Sequence, residues 1–213
     1  MKGYSHTRLI AILVTCTIVS ALVLVSPIDL WRVDNNAAAQ DMSHMIPANE
    51  PTNTTSVQQG LQTTYVNYYP NATGYLVYQK PSNESKMPAV IMVHEWWGLN
   101  QNIKNMAEQL ASKGYVVLAV DLYKGEVATE ASRAQQLSAL VKNDPQTAIK
   151  NLQTAVKYVS SLPNVNSSRI ASLGWCFGGG WSLQLALNTT QPLAATVLYY
   201  GSPVLDEHAL SKI

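Results

Sequence analysis

The sequence predicts an α/β fold in which a mostly parallel central sheet is flanked by helices, and two observations carry that prediction. Short apolar runs rich in Val, Ile and Ala alternate with longer stretches of helical periodicity. One such run, Ile170-Ala171-Ser172-Leu173, passes through Gly174-Trp175-Cys176-Phe177-Gly178-Gly179-Gly180 into Trp181 to Leu187, which reads as a helix. A Gly-x-Cys-x-Gly bracket between strand and helix is the pattern of a nucleophile elbow, with a thiol in place of a hydroxyl. So sharp a turn strains the backbone at the nucleophile, and its neighbours must lack side chains that would strike the strand and helix. A helix beginning at the cysteine points free N–H groups at it.

The elements follow in chain order. Thr63 to Tyr69 and Tyr75 to Gln79 read as two strands joined by Pro70-Asn71-Ala72-Thr73-Gly74, a hairpin. Ala89 to Val93 is continuously apolar and reads as a strand buried on both faces. Asn100 caps a helix through Lys113, whose inner face carries Ile103, Met106, Ala107 and Leu110, and Gly114 ends it. Tyr115 to Val120 is the next buried strand. Ala128 to Leu140 and Gln146 to Leu162 read as helices, the second opened by Asp144 as cap and Pro145 at the first helical position. Arg169 to Leu173 and Ala194 to Tyr199 complete the strands.

Ahead of this domain, residues 1 to 39 have the layout of an export segment. Lys2 and Arg8 precede seventeen apolar or small residues, Leu9 to Val25, and Ala37-Ala38-Ala39-Gln40 offers a peptidase site. A cleaved signal and a retained membrane anchor both fit a run of that length, and the leading positive charges favour an extracytoplasmic body. Residues 40 to 62 are polar, aperiodic and Pro-containing, a linker to a domain spanning 63 to 213. Lys plus Arg number 14 against 13 for Asp plus Glu, which leaves no electrostatic case for nucleic-acid binding. Of the two cysteines, Cys16 lies within the apolar run, so the domain holds a single thiol and no internal disulfide.

In a parallel sheet the C-terminal strand ends face one side, where the following loops build a site. His94-Glu95-Trp96-Trp97-Gly98, Asp121-Leu122-Tyr123 and Cys176 each follow a strand and are expected to rim one crevice. Together, Val93-His94-Glu95-Trp96-Trp97-Gly98-Leu99-Asn100, Lys113-Gly114-Tyr115, Asp121-Leu122-Tyr123 and Gly174-Trp175-Cys176-Phe177-Gly178-Gly179 resemble the dienelactone hydrolase family, a cysteine branch of the α/β-hydrolase fold. The resemblance runs from about Tyr65 to Gly201. It implies that Cys176 is the nucleophile and Glu95 the carboxylate that assists its deprotonation. The backbone N–H groups of Trp96 and Phe177 would form the oxyanion hole, and Tyr123 and Arg133 would contact the substrate. It further implies a small ester or lactone substrate and no cofactor or metal. Read without it, Glu95 is a solvated or ion-paired loop residue, the Trp pair a cover for the sheet edge, His94 a tempting base and Asp121 a turn cap; the resemblance, in which that place is not the triad histidine, makes His94 structural.

The resemblance also implies a triad of Cys, Asp and His in that chain order. Asp206 and His208 are the acid–imidazole pair after the elbow, and their spacing does not suit two separate loops. The sequence is therefore expected to represent a hydrolase incomplete at its C-terminus, with little turnover and a bare sheet edge after Ala194 to Tyr199. A non-catalytic binding module is the alternative expectation.

Overall fold

A computed structural model describes residues 10–13, 60–80, 85–202, 206–211 and 213. A seven-stranded sheet runs in the order β1-β7-β6-β4-β5-β3-β2. Strands β2 (Leu61–Tyr69) and β3 (Ala72–Gln79) form the antiparallel hairpin expected, closed by a tight turn in which Asn71 adopts φ 59°. β3 then pairs antiparallel with β5 (Val116–Val120). The rest is parallel: β5 with β4 (Met87–Val93), β4 with β6 (Val165–Trp175), and β6 with β7 (Ala195–Tyr199). The continuous apolar runs are the buried strands, since Ile91, Val93, Val116, Val117, Leu118 and Val120 are fully enclosed.

Helices α1 (Gln101–Ala111), α2 (Ala131–Asn143), α3 (Pro145–Ser160) and α4 (Phe177–Asn188) supply the crossovers. The caps read from the sequence are made: Asn100 Oδ1 accepts from Ile103 N at 3.1 Å and Asp144 Oδ1 from Thr147 N at 3.2 Å. α2 begins three residues later than expected. Ala128 is buried and its N–H donates to Trp97 O at 2.9 Å, so tertiary contact holds it in the loop and out of the helix. α4 carries buried residues along nearly its whole length. A closed polar cluster pins it to the sheet: Ser182 Oγ donates to Ser172 Oγ at 2.8 Å, and Ser172 Oγ lies 3.2 Å from Thr196 Oγ1 on β7. Each of these buried hydroxyls is partnered, which is what makes them tolerable in the core.

The expectation of a bare edge at β7 is corrected. Strand β1 (Ile10–Leu13) pairs parallel with it, from Ile10 opposite Thr196 to Leu13 opposite Tyr199. A strand edge presents unpaired N–H and C=O groups, and here another strand of the same chain takes them. The remainder of the apolar run, Leu9 and residues 14–25, lies outside the described residues, as do the proposed peptidase site and most of the linker. Among the described residues no helix is long and apolar enough to cross a membrane.

Candidate active site

The elbow is built as its glycines require. Cys176 occupies φ 51°, ψ −117°, a region that costs a non-glycine residue about 1–3 kcal/mol. Three backbone bonds hold it there. Its N–H donates to Tyr199 O at 3.0 Å, and its carbonyl accepts from Gly179 N at 3.1 Å and Gly180 N at 3.3 Å. A Cβ at Gly174 would run into the Gly178 carbonyl, and one at Gly178 would run into the Val93 and His94 carbonyls. The strand end, the helix start and the end of β4 thus meet at distances only glycine permits, and the thiol is left exposed at the top of the sheet.

Cys176 opens into a cavity of about 430 Å³ lined by Trp96, Ser138, Lys142, Phe177, Gln184 and Tyr200, among others. Phe177 is the first residue of α4, so its N–H has no intrahelical acceptor. Trp96 and Phe177, the residues expected to supply oxyanion donors, line the same cavity as the thiol. Glu95 is half-buried beside Trp96, and its Oε1 accepts from Tyr200 Oη at 2.8 Å. Tyr200 follows β7 at φ 40°. Its ring is largely exposed, but desolvation where the hydroxyl sits against Glu95, then the hydrogen bond and negative charge of Glu95, push that hydroxyl above the ordinary tyrosine range, so it keeps its proton and donates.

Beneath the thiol the site rests on aromatic packing. His94 is fully enclosed, its ring 4.7 Å from Tyr123 and 5.9 Å from Phe177. Its Nδ1 is 2.6 Å from Glu95 O and its Nε2 lies 3.2 Å from Leu122 N. Nδ1–H therefore donates, Nε2 accepts, and the ring is neutral. Burial drives its pKa down to about 4. It ties the end of β4 to the end of β5 and is spoken for as a base. Asp121 caps the next turn, Oδ1 accepting from Tyr123 N at 2.8 Å and Oδ2 from Gly125 N.

Tyr123 and Arg133 are placed differently from Cys176. Tyr123 is buried, its ring centroid 5.6 Å from that of Phe177, and among the described residues its hydroxyl has no hydrogen-bond partner. Burial first, and the charge of a Cys176 thiolate second, hold that hydroxyl protonated. An orphan buried hydroxyl costs about 1–3 kcal/mol, so Tyr123→Phe should lose no stability in urea unfolding and gain up to about 1 kcal/mol. A loss above that figure would show that the hydroxyl has a partner. Arg133 pairs with Glu126, Nη2 to Oε2 at 2.8 Å, on a second cavity of about 480 Å³ that Cys176 does not line. The cation on the thiol's own cavity is Lys142, about two and a half turns further along α2, accompanied by Ser138. Sequence reading missed both. The signal available was weak: the phase of α2 alone does not say which of its polar faces turns to the elbow. Asp206 accepts from His208 N at 2.9 Å and caps the short helix α5 (Glu207–Leu210), a use apart from the thiol.

The sequence model of the dienelactone hydrolase family matches residues 72–213, two thirds of the chain. Two proteins each named "Putative carboxymethylenebutenolidase" are 30% identical to it. The one from Saccharolobus solfataricus aligns over 61% of this chain and 63% of its own length, and the one from Aquifex aeolicus over 56% and 54%. The chain thus spans little more than half the length of these relatives. Among solved structures, a dienelactone hydrolase-like promiscuous phosphotriesterase from metagenomic libraries superposes with a TM-score of 0.63 over 72% of this chain and 65% of its own, at 22% identity. The elbow at Cys176, the order of the sheet and the extent of the family match agree: the chain belongs to the dienelactone hydrolase family.

Proposed function

We propose that this chain carries the nucleophilic part of a hydrolase for lactones or small carboxylic esters, with Cys176 as the attacking atom. One observation carries the reading: an exposed thiol held at positive φ, at the start of a buried helix and beside a carboxylate-bearing loop. The thiol proton passes to Glu95, the sulfur attacks the ester carbonyl, and the oxyanion is met by the N–H groups of Trp96 and Phe177. Collapse breaks the ester C–O bond, the departing oxygen takes the proton held on Glu95, and the expelled alcohol, or opened lactone ring, leaves a thioester for water to cleave. Lys142 on the cavity favours substrates carrying a carboxylate.

The chain's share of its relatives' length supports a further reading, that the acid–imidazole pair of the family lies outside these 213 residues. The 213-residue chain then acylates readily and turns over slowly. With p-nitrophenyl acetate it should give a burst of about one equivalent of nitrophenol, followed by a slow phase at least tenfold weaker in rate. Cys176→Ala should abolish the burst. An equal burst in that variant removes Cys176 from the chemistry.

Export is proposed from the layout of residues 1 to 39. Removal of that segment would take β1 with it and open the edge of β7. N-terminal sequencing of protein recovered outside the cytoplasm checks it: a start near residue 40 supports cleavage, and a start at residue 1 contradicts it.

A further inference from the structure

We infer that Tyr200 is a positioning residue that orients Glu95, the proposed proton acceptor of Cys176, by occupying one of its two carboxylate oxygens. This rests on the reading of Cys176 and Glu95 as nucleophile and acceptor, and goes beyond it by assigning the group that governs the acceptor.

The geometry is specific. Tyr200 is 105 residues from Glu95 in sequence, yet its hydroxyl reaches Oε1 at 2.8 Å. It does so from a strained backbone: φ 40° is a conformation that a bulky L-residue adopts only when its surroundings impose it. The imposing contacts are visible. Tyr199 O holds the Cys176 N–H, Trp175 and Tyr199 stack with ring centroids 5.6 Å apart, and Gly201 lies against Gly179 so closely that a Cβ at either position would meet the other's backbone. β7 and the elbow are therefore locked together, and the residue after β7 is turned across the thiol's cavity toward Glu95. Tyr200 itself is 71% exposed, so little packing rewards this arrangement. The hydrogen bond to Glu95 is what the strained turn delivers.

The chemical consequence follows from hydrogen bonding to a charged form. A hydrogen bond to one oxygen of a carboxylate favours the charged form. It also fixes the plane of the carboxylate, leaving Oε2 as the oxygen free to take the thiol proton. Deprotonation moves one proton from Cys176 Sγ to Oε2, and Tyr200 keeps its own.

The test reads thiol reactivity, which needs no ester turnover and so stands or falls separately from the proposed hydrolysis. The rate of Cys176 alkylation by iodoacetamide is measured against pH by mass mapping of the peptide that carries it, which separates it from Cys16. The sulfur displaces iodide and forms an S–C bond, and the proton leaves to Glu95 or buffer. Cys176 is exposed, so each variant reacts and each profile is readable. Tyr200→Phe keeps the ring and should raise the midpoint of the acid limb by at least about half a pH unit. In a Glu95→Gln background the same change should leave the profile where it was, because the group that Tyr200 governs is gone. An unmoved midpoint in Y200F, or an equal shift with Glu95 already replaced, would overturn the proposal.

Discussion

Gly178→Ala should destabilise the protein by about 3 kcal/mol or more in urea unfolding, the largest effect expected of any single methyl group here. The added Cβ would meet the carbonyl oxygens of Val93 and His94 and, at 2.8 Å, the Val93 carbonyl carbon. All three are backbone atoms of the β4 end, so no side chain can swing aside to make room. Relief requires α4 to withdraw from β4, and that takes Phe177 and Cys176 away from the loop carrying Glu95 and Trp96. Gly180→Ala is the internal control. Its nearest obstacle is Ser202 O at 3.9 Å, an ordinary contact, and in a helix alanine outranks glycine by up to about 1 kcal/mol. That variant should be neutral or stabilising. Equal stability of the two variants would mean that α4 is not packed against β4 as described.

Acid should cost the fold about 3 kcal/mol through His94 alone. Its pKa falls from 6.5 to about 4 because the ring is wholly buried. The unfolded chain binds a proton on this imidazole as pH drops through 6.5, while the native state refuses it until about pH 4. The contribution is therefore fully present above pH 6.5 and lost across the window from 6.5 down to 4. Asp121 acts with the opposite sign. Burial raises its carboxyl pKa, so as pH falls the native state takes up that proton first and gains stability, offsetting part of the loss. The difference between wild type and His94→Gln, followed from pH 7.5 to 4 by chemical unfolding, isolates the imidazole. Stability of the wild type should fall relative to the variant by most of that figure, whereas parallel curves would mean that His94 is not buried as a neutral ring.

How much of this was legible in the sequence depended on whether the signal was local. Apolar runs such as Ala89 to Val93 identify themselves because a strand buried on both faces has no polar alternation. The cap at Asn100, the Asp144-Pro145 opening of α3 and the glycines around Cys176 are contained within a few residues, and each stood where the physics of a cap or a sharp turn requires. What joins distant segments was not readable. Glu95 and Tyr200 meet across 105 residues, and nothing around either announces the other. Arg133 and Lys142 lie on one helix, and only the packing of α2 decides that the lysine faces the thiol's cavity while the arginine is paired with Glu126 on another. The edge of β7 was expected to be bare because the N-terminal apolar run gives no sign, in its own composition, of pairing with a strand nearly two hundred residues away.

The central claim is that the elbow presents Cys176 as the nucleophile. Brief exposure of the 213-residue chain to p-nitrophenyl acetate, quenching in acid and peptide mass mapping test it most directly. One acetyl group, a gain of about 42 Da, is expected on the peptide containing Cys176, released by neutral hydroxylamine as a thioester should be. An adduct confined to lysine or to the N-terminus, with the Cys176 peptide unmodified, would contradict it.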